Sequence, residues 1–176
     1  KLLALLEARE YGLRRRFESL VEEMTQTHDS LLRVRISSAD RNSGDAPGAE
    51  PEDQRKKQPA SDTENTRAEI STERTRSLQL LRVQRAIQQS QKIAQEVTGV
   101  AVSFEDIREE LINNRVHSEE RKQRLKQQIA DPLHHIAKQM LPELDRRLEL
   151  LEGQFNTPTD IGPASRSAVE QADMIL

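Results

Sequence analysis

The spacing of apolar residues between Leu3 and Val34 is the feature that most limits how this chain can fold. Apolar side chains recur there at alternating steps of three and four residues, without a slip in register. Glu10 and Thr27 interrupt the pattern, and isolated polar residues of this kind can set the register of paired helices. The pattern predicts a coiled-coil helix over residues 1–36 with one buried stripe. Its ten positions are Leu3, Leu6, Glu10, Leu13, Phe17, Leu20, Met24, Thr27, Leu31 and Val34.

The stretch that follows has the opposite character. Between Ser37 and Glu69 there is no Val, Ile, Leu, Met or aromatic residue, and Pro47, Pro51 and Pro59 lie within it. Such a segment cannot bury enough apolar surface to offset the entropy lost on ordering, and its prolines prevent a regular helix. We therefore predict a disordered linker over 37–66.

Apolar periodicity then returns and predicts long helices over 67–156, with a break near 113–132 where the pattern weakens. Asp131-Pro132 is compatible with the start of a new helix, and equally with a kink in one long helix. Pro142 should bend the last helix or break it locally. A linker over 157–164 and the truncated start of a further helix over 165–176 complete the chain. The apolar positions of the long helices are Ile70, Leu80, Val83, Ile87, Ala94, Val97, Ala101, Phe104, Ile107, Leu111, Leu125, Ile129, Leu133, Ile136, Met140, Leu144, Leu148, Leu151 and Phe155.

Together these segments predict an all-α fold in which long amphipathic helices form an antiparallel coiled-coil hairpin or small bundle around the disordered insert. A parallel homodimer through the first stripe is the competing arrangement. Aromatic residues make up only 2% and charged residues 32% of the chain, which suits long helices with narrow buried stripes. The residues expected to carry helix association are Leu13, Phe17, Leu20, Met24, Leu31, Ile87, Val97, Phe104, Ile107, Leu111, Ile136, Met140 and Leu148.

No catalytic, cofactor-binding or metal-binding residues are predicted. The chain has no cysteine, and no Glu stands three residues before any histidine, as diiron bundles require. His134 and His135 are neighbours and point about 100° apart on a helix, so they cannot easily hold one ion. Carboxylate pairs such as Glu22-Glu23, Glu109-Glu110 and Glu119-Glu120 are expected to be solvated. We therefore expect no enzymatic activity and no cofactor.

The partners expected are protein: other helices of the same chain, or a second copy in a homo-oligomer. The basic runs near Arg14, Arg55 and Arg121 are each flanked by acids, and the net charge is −3, so nucleic acid is not expected. No apolar run approaches the roughly 20 residues that span a bilayer. The segment is expected to be soluble, and the sequence does not indicate its cellular compartment.

Two sets of short motifs carry a family resemblance. The first comprises Leu5 to Glu10, Leu13 to Glu18, Glu22 to Thr25 and Leu31 to Val34. The second comprises Asp106 to Leu111, Asn113 to Val116 and Ile129 to Leu133. They resemble segments of large, uncharacterised, membrane-anchored coiled-coil proteins of planctomycete-type bacteria. The resemblance implies a long helical region with a membrane anchor elsewhere, and it supplies no catalytic residues.

These observations favour a non-catalytic helical scaffold or spacer region of a larger, membrane-anchored bacterial protein, which acts through helix–helix association. The alternative is a signal-transmitting helical segment between a sensor and an output domain. For that role Gly99, among small and β-branched residues, would be the hinge. Close approach of a neighbouring helix is the other reason for a glycine at this position.

Overall fold

The computed structural model describes residues 1–42, 62–115, 119–155, 157 and 160–176, without the side chains of 37–42 and 62–69. These residues form four helices and contain no strand. They are α1 (Leu2–Asn42), α2 (Asp62–Asn113), α3 (119–155) and α4 (Gly162–Ile175). The predicted all-α fold class is confirmed.

The helix ends differ from the predicted boundaries. α1 runs to Asn42 and α2 begins at Asp62, so both enter the range predicted as a linker, 37–66. A growing helix adds one hydrogen bond for each residue it fixes, and no Pro or Gly interrupts the chain until Gly44. The rest of that predicted disordered linker lies outside the described residues.

α4 also begins earlier than expected, at Gly162 instead of Ser165. Pro163 lies in its first turn. Backbone N–H groups there have no acceptor within the helix, so a proline costs no helical hydrogen bond. The carboxylate of Asp160 accepts a hydrogen bond from the backbone N–H of Gly162 at 2.9 Å. These two features account for the three extra residues.

The helices run alternately up and down and form an antiparallel bundle. Arg16 of α1 meets Glu96 of α2 at 3.5 Å. Further along the chain, Gln84 of α2 donates to Glu152 of α3 at 2.8 Å. α4 packs between α3 and the C-terminal half of α1. The chain therefore folds back on itself, with four helices at one end and three at the other.

The buried residues of α2 follow two strict seven-residue repeats. Every position of both repeats is at most 3% exposed, because α2 lies between α1 and α3 and must bury a broad face. One repeat consists of Gln79, Ala86, Ile93, Val100 and Ile107, and the other of Val83, Ser90, Val97, Phe104 and Leu111.

Some of the residues predicted to be buried in α2 are not the ones that the structure buries. Ile87 and Ala94 are only partly buried at the edge of the core, and their neighbours Ala86 and Ile93 occupy its centre. Ile70 is exposed. Gly99 is exposed on an unbroken helix, and a Cβ added there would meet nothing within 4 Å. The expected close approach of another helix at Gly99 was wrong.

α3 contains two π-helical segments, Arg124–Ala130 and Ile136–Met140. Each ends two residues before a proline, Pro132 or Pro142. A proline ring clashes with the carbonyl four residues earlier. Here the residue before each proline instead donates its N–H to the carbonyl five residues earlier, Asp131 to Lys126 and Leu141 to Ile136. The wider turn relieves the clash, and the helix continues through both prolines.

The π segments also shift which side chains are buried. Burial moves one residue along from the predicted Ile129, Ile136 and Met140 to Ala130, Ala137 and Leu141. Eight of the thirteen residues expected to carry association are buried: Leu20, Met24, Leu31, Val97, Phe104, Ile107, Leu111 and Leu148. The other five are half-buried: Leu13, Phe17, Ile87, Ile136 and Met140.

Candidate functional site

The histidines singled out in the sequence lie at helix contacts. Nε2 of His134 lies 3.2 Å from a carboxylate oxygen of Glu105, across the α2–α3 interface. His135 is exposed beside it. Within the described residues, no three His, Asp or Glu side chains come together in a way that could hold a metal ion. His117 lies outside the described residues.

His28, which belongs to no sequence motif, lies where α4 docks on α1. Its side chain is largely buried, and Nε2 lies 2.8 Å from Oδ1 of Asp173 on α4. The approach is outside the angular range of a hydrogen bond. Nδ1 lies 3.7 Å from Oδ1 of Asp29. The imidazole therefore sits between two carboxylates at this contact.

The adjacent carboxylates take part in pairing with cations. Glu110 pairs with Arg9 of α1. Glu119 accepts a hydrogen bond from Lys122, and this contact lowers the pKa of the Glu119 carboxyl. Glu23 accepts hydrogen bonds from Gln89 and from Lys92, and the bond to Glu23 raises the pKa of Lys92. These contacts tie neighbouring helices or turns together.

Two polar contacts in the interior were not predicted from the sequence. Glu10, on the predicted stripe of α1, accepts a hydrogen bond from Arg121 of α3 at 2.8 Å. Asp145 of α3 is half-buried beside the fully buried Ser90 of α2. Burial raises the pKa of Asp145, and the Ser90 hydroxyl opposes this shift only in part. No described residue completes a hydrogen bond of normal geometry with Ser90 Oγ or Asp145 Oδ1.

A polar cleft of about 360 Å³ opens between α1 and α2, and no described residue of α3 or α4 lines it. It exists because small side chains, Thr27, Ser30 and Ala86, face one another at the edge of the helix interface. Long polar side chains rise around them. The cleft is lined by Glu23, Gln26, Thr27 and Ser30 of α1 and by Arg82, Arg85, Ala86 and Gln89 of α2. We call it the arginine cleft.

The two arginines of this cleft stand one helical turn apart. Neither makes an ion pair or a hydrogen bond to another side chain within the described residues. Glu23, the carboxylate of the cleft, is already engaged by Lys92 and Gln89. The sequence does carry a signal for this site: no Asp or Glu occurs between Glu73 and Glu96, although the chain has 30 acidic residues.

None of the described helices combines the length and apolarity needed to cross a bilayer. The chain matches no protein-family profile, no curated protein and no solved structure.

Proposed function

We propose that this chain is a non-catalytic scaffold or spacer: a rigid helical rod that sets a distance and associates through helix faces. The observation that carries the proposal is the uninterrupted burial of both repeats of α2 between α1 and α3. α2, the longest helix, has 52 residues and is about 78 Å long, and its buried repeats run from Gln79 to Leu111. A long, narrow bundle with a continuous core resists bending and keeps its ends apart.

The association face we propose is the outer side of the N-terminal half of α1. It comprises Ala4, Leu5, Ala8, Tyr11 and Gly12, all exposed. Leu5 is 58% and Tyr11 63% exposed, and large apolar side chains grouped on one face are typical of interaction surfaces. No other described helix covers this face, and the Arg15 guanidinium lies 5.9 Å from the centroid of the Tyr11 ring.

This face pairs with the same face of a second copy of the chain, and the two α1 helices run antiparallel. In a parallel pair, Arg15, Glu18 and Glu22 would each meet their own copy, and like charges at such positions are unfavourable. An antiparallel pair centred on Tyr11 and Gly12 places Ala8 opposite Arg15 of the second copy, so the preceding residue, Glu7, lies near that guanidinium group. The missing side chain of Gly12 leaves room for the ring of Tyr11. A two-fold contact of this kind is self-complementary.

The test compares oligomeric state by light scattering over a range of concentrations. We expect the unmodified chain to dimerise and Tyr11→Glu to remain monomeric with unchanged helix content by circular dichroism. Leu150→Glu is the matched control, because Leu150 is 59% exposed on the far helix α3, and it should still dimerise. A chain that is monomeric at all concentrations would exclude this face as the association surface.

The rod itself is tested by small-angle X-ray scattering of the monomeric Tyr11→Glu variant. We expect a maximum dimension near the length of α2, about 78 Å. A compact sphere would contradict the spacer role. The attachment to a membrane-anchored bacterial protein remains part of the proposal, and the motif resemblance alone supports it.

A further inference from the structure

We propose that the arginine cleft binds a small phosphate-bearing anion. Arg82 and Arg85 line it from α2, and Gln26 and Ser30 line it from α1. Guanidinium groups are planar, keep their charge at any physiological pH and match two oxygens of a phosphate at once. The cleft has two guanidinium groups in its lining, those of Arg82 and Arg85.

The charge balance of the cleft leaves these arginines free for a ligand. The flanking sequence of α2 supplies no carboxylate for two turns on either side of Arg82 and Arg85. On α1, the carboxylate of Glu23 is shared between Gln89 and Lys92 at one end of the cleft. Elsewhere in the bundle, arginines such as Arg9, Arg121 and Arg147 have carboxylate partners. Arg82 and Arg85 have no such partner within the described residues, and both line the same cleft.

The other lining groups favour an oxyanion over an apolar ligand or a nucleic acid. Ser30 supplies a hydroxyl and Gln26 an amide, both able to donate to phosphate oxygens. No aromatic side chain lines the cleft, so it has no surface on which a base would stack. Its volume of about 360 Å³ is near the lower end for small-molecule sites. A phosphate monoester or a diphosphate fits these features.

The experiment is a calorimetric titration of the full chain with sodium pyrophosphate at low ionic strength, where exposed charges are least screened. We expect one saturable site that weakens at least about tenfold in Arg82→Gln/Arg85→Gln, since two charge-assisted contacts are lost. The matched control is Arg74→Gln/Arg166→Gln, which removes two exposed arginines outside the cleft and should bind as the unmodified chain does.

Two results would exclude a specific anion site in the cleft. One is the absence of saturable binding in the millimolar range. The other is equal weakening in both double variants, because a general charge effect would then explain the affinity. A parallel titration with citrate separates phosphate from carboxylate chemistry, and citrate binding as tightly as pyrophosphate would exclude the phosphate assignment. Ser30→Ala, which leaves both arginines in place, should weaken pyrophosphate binding by a smaller factor.

Discussion

Glu10 of α1 and Arg121 of α3 form an ion pair at 2.8 Å, with both side chains largely buried. The pair joins the first and third helices at the three-helix end of the bundle, where α4 does not reach. Glu10 stands on the apolar stripe of α1, and its charge is compensated by a residue 111 positions later in the sequence.

Removing one member of this pair should destabilise the protein more than removing both. Glu10→Ala leaves the Arg121 guanidinium without its partner in a largely dry site, and we expect a loss of about 1–3 kcal/mol. Replacing both residues, Glu10→Leu with Arg121→Met, should return stability close to that of the unmodified chain, because apolar replacements avoid the desolvation cost. Urea unfolding followed by circular dichroism measures both. Glu109→Gln is the control: Glu109 is exposed, and the urea midpoint of this variant should equal that of the unmodified chain.

The continuous core is tested by the same substitution at two nearby leucines. Leu148 is fully buried and Leu150 is 59% exposed on the same helix. We expect Leu148→Ala to cost about 2–5 kcal/mol and Leu150→Ala less than about 0.5 kcal/mol. Similar losses in thermal or urea unfolding for the two variants would contradict the assignment of the α3 core face.

Gly99→Ala should stabilise the protein by about 0.5–1 kcal/mol. The glycine lies inside α2, its side of the helix is open, and alanine loses less chain entropy on folding. A rise in melting temperature is the expected result. The signal-transmitting alternative makes a different prediction: Gly99→Ala would change the distribution of distances between spin labels on α1 and α2. An unchanged distribution together with a higher melting temperature would count against a hinge at Gly99.

Asp145→Asn should stabilise the protein at neutral pH. Burial raises the pKa of the Asp145 carboxyl in the folded state, so the folded protein holds this proton more tightly than the unfolded chain does. The ionised carboxylate therefore penalises folding, and the penalty grows as pH rises through the folded pKa. Well below the unfolded pKa of about 3.9 the carboxyl is protonated in both states, and the variant and the unmodified chain should unfold alike. A stability difference that is constant with pH would refute this assignment.

The sequence was sufficient for the fold class because aliphatic residues repeat in step with helix geometry. It misplaced part of α2, where the buried repeat from Gln79 to Ile107 includes a glutamine and an alanine. Next to these weakly apolar positions, the flanking Leu80 and Ile87 gave a stronger hydrophobic signal. In α3 the error has a different cause. Pro132 and Pro142 impose π turns, and a periodicity argument that assumes 3.6 residues per turn loses one residue at each.

The candidate site depends on tertiary contacts, so most of it was beyond sequence reasoning. Ser30 and Arg82 stand 52 positions apart, and only the packing of α1 against α2 places them around one cleft. The acid-free stretch between Glu73 and Glu96 was visible in the sequence. It indicates a basic cleft only because the facing carboxylate, Glu23, bonds to Gln89 and Lys92. The position of His28 at the contact between α1 and α4, next to Asp173, was likewise evident only from the structure.

The paired seven-residue repeats of α2 restrict how this molecule can change its size. Inserting or deleting one or a few residues would rotate one end of α2 against the other and turn polar side chains inward. Adding seven keeps both buried faces aligned and lengthens the rod by about 10 Å, provided that α1 and α3 gain the same number. The bundle can therefore be lengthened in steps of two helical turns, each adding seven residues to all three long helices, without a change in any buried face.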